Sequence, residues 1–265
     1  MDFKKAFETN RESWNKKVAS HAASEFYNLQ GFKNGTSSLN RYELEALGDV
    51  SGKSLLHLQC HFGQDTLSWS RMGANCTGID LSEEGIKLAE KLSSELKLEA
   101  KFICCNVLEA SNHISEKFDI IFSSYGTIGW LPNLEPWANM ISERLKPKGV
   151  FYIVEFHPIA WMFDYTTNPP KLEYAYMQKE AIYEEYEGTY ANSNSKLISK
   201  EYVWNHSLSE VIDSLIKAGL KIELFKEHDA SPYNIFPKLV KNIEGMFEMT
   251  NKLYPLIFEI KASKC

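Results

Sequence analysis

The 265-residue chain lacks several features that define common classes of protein. No apolar run approaches the roughly 18 residues that span a bilayer, and the N-terminal stretch MDFKKAFETNRESW has no apolar core of signal-peptide length. Basic residues are not in excess, since 29 Lys and Arg stand against 35 Asp and Glu, with a formal net charge of -6. Little positive charge is therefore available to neutralise phosphates. We expect a cytoplasmic protein whose partners are neither membranes nor nucleic acids.

Cysteine is also sparse, with five residues, an odd number, and no C-x-x-C pair, so no disulfide framework is expected. His57, Cys60 and His61 are close enough in sequence to suggest a metal site. However, His57 and Cys60 lie in or at the end of a strand pattern, where residues three apart point to opposite faces. We therefore expect no metal. A hydrophobic content of 44% suits one large domain, or one domain with an insertion.

One stretch, residues 55–82, organises the rest of the chain. It begins with an apolar run of strand length, continues through a tight loop with Gly63, and then shows a helical pattern closed by Gly73. A second strand pattern ends on Asp80. This order is typical of nucleotide sites, in which an acid about 20 residues past the loop accepts hydrogen bonds from a ribose diol.

The remaining chain alternates between strand and helix patterns. Strands are predicted at about 99–105, 118–124 and 150–156, and helices from Ser82 and over about 134–145. This alternation predicts an α/β fold with a parallel sheet and helices on both faces. Residues 1–50 have helical patterns, whereas residues 158–203 are rich in proline and tyrosine and break the alternation. We interpret 158–203 as an insertion.

The stretch LLHLQCHFG, residues 55–63, resembles the glycine-rich motif of class I S-adenosylmethionine-dependent methyltransferases, which usually reads V-L-D-L-G-C-G-x-G. The phrase GIDLSEEGI around Asp80 is also close to the pattern of that family. The chain departs from the motif at His57, where the family has an acid, and at Gln59 and His61, where it has glycine. A dinucleotide site needs those glycines because backbone must approach a pyrophosphate, whereas S-adenosylmethionine has no phosphate.

The resemblance implies a doubly wound, mostly parallel, seven-stranded Rossmann-like sheet that ends in an antiparallel hairpin. It also implies an N-terminal helical lid over residues 1–50 and a donor-binding core over 51–157 and 204–265. The insertion over 158–203 would then cover a small-molecule substrate. The expected activity is methyl transfer to that substrate by in-line displacement.

The resemblance further implies S-adenosylmethionine as the cofactor. Asp80 would accept the ribose hydroxyls, and Asn106 would take the place of an acid that faces the adenine amino group. Both positions also have a structural interpretation, Asp80 as a helix cap and Asn106 as a turn residue. The expected donor-binding residues are Trp14, Gln59, Cys60, Gly63, Asp80, Leu81, Asn106, Val107, Leu108, Ser124 and Tyr125.

The acceptor side offers two candidate catalytic residues, His157 and His206, which follow a strand and precede a helix respectively. A histidine near its ordinary pKa could remove a proton from an acceptor, although either residue could instead cap or pack. Two other functions remain open. One is a non-catalytic module that binds adenosyl ligands at a degenerate site. The other is a nicotinamide-dependent oxidoreductase, which would need a fuller G-x-G-x-x-G loop.

Overall fold

A seven-stranded sheet forms the middle layer of the protein, seen in a computed structural model that describes residues 3–165, 167, 169–236 and 238–265. The helices, in chain order, are α1 (Phe3–Ala22), α2 (Leu29–Lys33), α3 (Arg41–Leu47), α4 (Gln64–Arg71), α5 (Glu83–Leu96), α6 (Leu134–Arg144) and α7 (Leu208–Lys217). The strands are β1 (Ser54–Leu58), β2 (Asn75–Asp80), β3 (Ala100–Cys104), β4 (Phe118–Ser124), β5 (Leu145–Phe156), β6 (Phe163–Asp164), β7 (Lys171–Leu172), β8 (Ile182–Glu187), β9 (Ile198–Val203), β10 (Leu220–His228), β11 (Ala230–Ser231), β12 (Val240–Lys241), β13 (Phe247–Glu248) and β14 (Ile257–Lys264).

The strand order of the large sheet is β10-β14-β5-β4-β1-β2-β3. Strands β3, β2, β1, β4 and β5 run parallel, with Leu55 of β1 beside Ile120 of β4. Strand β14 is antiparallel to both β5 and β10. The predicted doubly wound, mostly parallel sheet with a terminal antiparallel hairpin is therefore confirmed.

Both faces of the sheet are buried because successive residues of a strand point to opposite sides. Leu56 belongs to a cluster with Trp137 of α6 and Leu215 of α7 on one face. Leu55, its neighbour, belongs to a second cluster with Trp69 of α4 on the other face. The near-continuous apolar character of the central strands follows from this two-sided burial.

The helical pattern of residues 1–50 corresponds to helices α1, α2 and α3. Helix α1 runs through Asn10, whose side chain bonds to the backbone of Tyr202 on β9. Helix α2 is a short helix that includes Gly31. The Asn28 side chain accepts a hydrogen bond from the Gly31 amide, and this cap stabilises the short helix.

Among the described residues, three smaller sheets accompany the large one, and the first is the antiparallel pair β6–β7. Strands β8 and β9 form an antiparallel hairpin within the predicted insertion. Strands β11, β13 and β12 form a three-stranded sheet. These strands come from the chain segment that connects β10 to β14, which was assigned to the core from its sequence. Across the described residues, no helix combines the length and apolar character needed to cross a bilayer.

Candidate functional site

A cavity of about 500 Å³ lies at the carboxyl edge of the parallel strands, where ligands bind in this class of sheet. Its volume is within the range of small-molecule sites. The loops that follow β1, β2, β3 and β4 supply one side, and α1 supplies Trp14. Tyr190, beyond β8, and Tyr233, beyond β11, complete the wall.

The loop after β1 has a left-handed backbone at three alternate positions. The φ angles are 53° at Gln59, 51° at His61 and 78° at Gly63. Left-handed conformations at residues other than glycine cost about 1–3 kcal/mol each and persist only where the surroundings hold them. Gln59 and His61 occupy the two positions where the similar family has glycine. The loop therefore takes a path that favours glycine while carrying two large side chains.

Each of these side chains has a partner that holds the loop. Gln59 Nε2 donates to the carbonyl oxygen of Thr127 at 2.8 Å, which joins the loop to the segment after β4. His61 Nε2 lies 3.0 Å from His21 Nδ1, and the His61 ring packs edge-on against Trp14 with centroids 5.1 Å apart. The loop is thus fixed from two sides.

Gly63 satisfies two requirements at once. Its positive φ suits glycine, and a Cβ there would lie 2.8 Å from the Phe102 ring and 3.0 Å from Ala89. Gly63 is also the N-cap of helix α4, so the loop continues directly into that helix.

Asp80 ends strand β2 with both carboxylate oxygens held by backbone amides. Oδ2 accepts from the His61 amide and Oδ1 from the Ser82 amide, each at 2.8 Å. The N-cap of α5 is Ser82, whose side chain accepts from the Gly85 amide. A carboxylate has about four acceptor sites, so Asp80 keeps acceptor capacity beyond these backbone amides. Burial raises the Asp80 pKa to about 6.

The structure brings most of the expected donor-binding residues together. Those that line the cavity are Trp14, Gln59, Cys60, Gly63, Asp80, Leu81, Asn106, Val107, Ser124 and Tyr125. Leu108 is not among the lining residues and packs instead against the hydrophobic cluster around α6. Asn106 lines the cavity, as expected of a donor-binding residue. Its Oδ1 also accepts a hydrogen bond from the Leu108 amide at 3.0 Å, as expected of a turn residue.

The sequence model of a family described as "Methyltransferase domain" matches residues 56–153, which contain the cavity loops after β1 through β4. A solved S-adenosylmethionine-dependent methyltransferase from Mesorhizobium loti has the same fold, with a TM-score of 0.59 and 16% identity, over 88% of this chain and 100% of that one. Residues 56–153 of this chain are a methyltransferase domain.

Curated relatives of this methyltransferase domain match it over only part of their own length. A ubiquinone biosynthesis O-methyltransferase of Alkalilimnicola ehrlichii is 24% identical over 148 residues, which are 54% of this chain and 60% of the relative. The mitochondrial ubiquinone biosynthesis O-methyltransferase of Rattus norvegicus is 31% identical over 107 residues, which are 39% of this chain and 31% of the relative. The chain thus spans less than two thirds of the length of these relatives.

The two histidines expected to act as bases lie outside the wall of the methyltransferase cavity. His157 Nε2 is 2.8 Å from Glu227 Oε1, and its Nδ1 accepts from the Ile159 amide at 3.2 Å. His206 Nε2 donates to the carbonyl oxygen of Leu131 at 2.7 Å, and its Nδ1 is 2.9 Å from Glu210 Oε1. Both ring nitrogens of each histidine are therefore engaged, and the structure does not bring either ring to the cavity.

Asp65 and Tyr233 are two of the cavity residues that were not anticipated from the sequence. Asp65 lies in the first turn of α4 and its Oδ2 accepts from Ser124 Oγ at 3.1 Å. Burial raises the Asp65 pKa, while hydrogen bonds from the Ser38 and Ser124 hydroxyls oppose the shift. Tyr233 packs edge-on against Tyr125, with centroids 4.9 Å apart. The acid directly after the glycine loop was a usable signal for Asp65, whereas nothing in the local pattern marks Tyr233.

A second carboxylate organises the loop after β4. Glu155, buried at the end of β5, accepts from the Thr127 amide at 2.7 Å and the Ile128 amide at 3.2 Å, and also from the Gly126 amide. This carboxylate fixes the segment whose Thr127 carbonyl receives Gln59. The two sides of the cavity floor are therefore joined through one buried acid.

The roof of the cavity is made of helix α1 and the β8–β9 hairpin. The Asn10 amide pairs with the backbone of Tyr202 through two hydrogen bonds of 2.8 Å. Lys17 and Glu201 form a buried ion pair between the same two segments. Tyr190, beyond β8, bonds to the Tyr27 hydroxyl. The roof is therefore one bonded unit.

Proposed function

We propose that this protein transfers the methyl group of S-adenosylmethionine to a small-molecule acceptor. The observation that carries the proposal is Asp80, a carboxylate that lines the cavity, held at the tip of β2 by backbone amides and with acceptor capacity beyond them. A nucleotide ribose is the ligand that such an acid suits. The curated relatives are named as O-methyltransferases of ubiquinone biosynthesis, which also favours a small-molecule acceptor.

The donor fits residues that the cavity already presents. Asp80 would accept the ribose hydroxyls, and Leu81, Asn106 and Val107 would surround the adenine. Gln59 Oε1 is buried and, within the described part of the chain, accepts no hydrogen bond. A buried acceptor of this kind suits the ammonium group of the donor. When bound, S-adenosylmethionine supplies an electrophilic methyl carbon on its sulfonium.

The protein then contributes orientation and exclusion of water. Holding two reactants in line can supply about 7–11 kcal/mol of the barrier reduction. The roof supports this role, since Trp14 of α1 and Tyr190 beyond β8 both line the cavity. On this basis we propose residues 1–50 as the lid and residues 158–203 as the substrate-covering cap of the methyltransferase core at 51–157 and 204–265.

The test is calorimetric titration of the protein with S-adenosylmethionine, S-adenosylhomocysteine and NAD. Both adenosyl ligands are expected to bind in the micromolar range and NAD is not. Asp80→Ala should abolish binding, whereas Asp213→Ala, a matched change at an exposed acid on α7, should leave it unchanged. Absence of adenosyl binding would overturn the proposal. Tight binding with no methyl transfer to any acceptor pool would favour the non-catalytic alternative.

A further inference from the structure

The charged side chains of the cavity are all acids. Asp65 and Asp80 line it, and no lysine or arginine of the described chain does. His57 and His61 also line it, and burial lowers the His57 pKa to about 3 and the His61 pKa well below its ordinary value, so both rings are neutral at pH 7. The wall therefore offers a ligand negative charge without any compensating cation.

Lys17, close to the cavity residue Trp14, is already committed elsewhere. Its Nζ lies over the Trp14 ring, 5.1 Å from the centroid, and is paired with Glu201. Within the described chain, an anionic acceptor would find no cation in the cavity wall, so charge alone disfavours carboxylate and phosphate acceptors.

Asp65 is the acid that the donor does not account for. Asp80 suits the ribose, whereas Asp65 lies in the first turn of α4 and accepts a hydrogen bond from Ser124. Its carboxylate receives hydroxyl hydrogen bonds but, among the described residues, no basic side chain contributes to its pKa. A carboxylate withdrawn from water without a counter-charge is unfavourable unless a ligand or a proton neutralises it.

The aromatic wall around Asp65 adds a second preference for positive charge. Tyr27 and Tyr233 line the cavity, and burial raises their phenol pKa values with a further contribution from the nearby Asp65 carboxylate. Phe26 stacks on Tyr233 with centroids 5.3 Å apart. The faces of such rings attract ammonium groups, most strongly where water is excluded.

We propose that the methyl acceptor is a small organic amine, bound as its ammonium ion against Asp65. This inference rests on the proposed methyl transfer and names its substrate class. In the reaction, the ammonium gives one proton to the Asp65 carboxylate, and the freed nitrogen lone pair forms the N–C bond to the donor methyl. The C–S bond breaks with its electron pair moving to sulfur. The products are an N-methylammonium ion and S-adenosylhomocysteine, and Asp65 later returns its proton to water.

The experiment measures transfer of labelled methyl from S-adenosylmethionine to three defined mixtures. The mixtures share benzyl, phenethyl, cyclohexyl and hexyl skeletons and carry an amine, a hydroxyl or a carboxylate. The amine mixture should be methylated at least about tenfold faster than either of the others. Asp65→Asn should lower that rate at least about tenfold while the Kd for S-adenosylhomocysteine changes less than about threefold. Asp213→Asn, exposed on α7, is the matched control.

The other outcomes each overturn the amine assignment. Faster methylation of the alcohols or acids would name a different class, including the hydroxyl acceptors that O-methyltransferases use. An amine rate unaffected by Asp65→Asn would remove Asp65 from acceptor binding. A large loss of S-adenosylhomocysteine affinity in Asp65→Asn would assign the acid to the donor. No transfer to amines by a protein that binds the donor would also reject the class, whereas failure to bind the donor would reject the proposed function itself.

Discussion

Lys17 and Glu201 form an ion pair whose side chains are 1% and 3% exposed. Lys17 lies on α1 and Glu201 on β9. Ser13 Oγ and Tyr186 Oη also donate to the Glu201 carboxylate, at 2.9 and 2.7 Å. The pair therefore joins two distant segments of the chain inside a shell of hydrogen bonds.

Replacing one member of this ion pair should lower the free energy of unfolding more than replacing both members. Lys17→Met leaves the Glu201 charge buried and unpaired, which is expected to cost about 3–5 kcal/mol of unfolding free energy. The double variant Lys17→Met with Glu201→Gln should lose less, because no isolated charge remains. Urea unfolding at pH 7 measures both variants. Equal losses in the single and double variants would show that the charge is not the cause.

Donor binding should weaken as the pH falls through the Asp80 pKa. The carboxylate, with a pKa raised to about 6 by burial, is ionised above that pH. In that form it would accept hydrogen bonds from both ribose hydroxyls of the proposed donor. Protonation below it removes an acceptor, so the Kd for S-adenosylhomocysteine should rise about tenfold between pH 7.5 and pH 5. Asp80→Asn should bind weakly at both pH values. A wild-type Kd that stays flat across this range would contradict the role given to Asp80.

Glu43 should make the protein less stable as the pH rises. Burial raises its folded-state pKa from 4.5 to about 7, and the native state therefore holds the proton more tightly than the unfolded state. Stability falls between those two pKa values as the pH increases, by up to about 3 kcal/mol. Glu43→Gln should reduce this loss, so its Tm should exceed that of the wild type more at pH 8 than at pH 4. Parallel Tm profiles for the two proteins would reject the prediction.

Gly63→Ala should destabilise the protein by about 2–4 kcal/mol, from backbone strain together with a clash at Phe102 and Ala89. Gly219→Ala separates the two causes. Gly219 has a φ of 82°, but a Cβ there meets no atom within 4 Å, so only the strain of about 1 kcal/mol applies. Denaturant melts of both variants give the comparison, and equal losses would mean that Phe102 and Ala89 move aside.

The central strands were predictable because continuous apolar runs in the sequence indicate buried strands. Strand β4 was expected over 118–124 and spans Phe118–Ser124, since an apolar run bounded by turns indicates a buried strand. Asp80 could likewise be placed at a strand tip, because the loop, helix and second strand follow one another without interruption. The order of residue patterns along the chain was therefore sufficient to predict the strands that follow one another through short loops and helices.

Other parts depend on contacts that no local pattern reveals. Strands β11, β12 and β13 have two residues each, too few to show alternation, and they form through pairing with one another. Tyr233, two residues beyond β11 of this small sheet, lines the cavity. His157 follows the expected strand and His206 precedes the expected helix. Their side chains are nevertheless held by long-range contacts that sequence spacing does not encode, with Glu227 for His157 and with the Leu131 carbonyl for His206.

The left-handed turns at Gln59 and His61 bear on how such loops are recognised. A sequence search that requires glycine selects for the residue that adopts a left-handed backbone most easily. Such a search would reject this chain at Gln59 and His61, two of the three positions at which the loop is left-handed. A search by backbone angles would retain it, because the shape is present and its strain is offset by bonds to Thr127 and His21. Distant chains with the same angles and different letters are therefore the place to look for further methyltransferases of this kind.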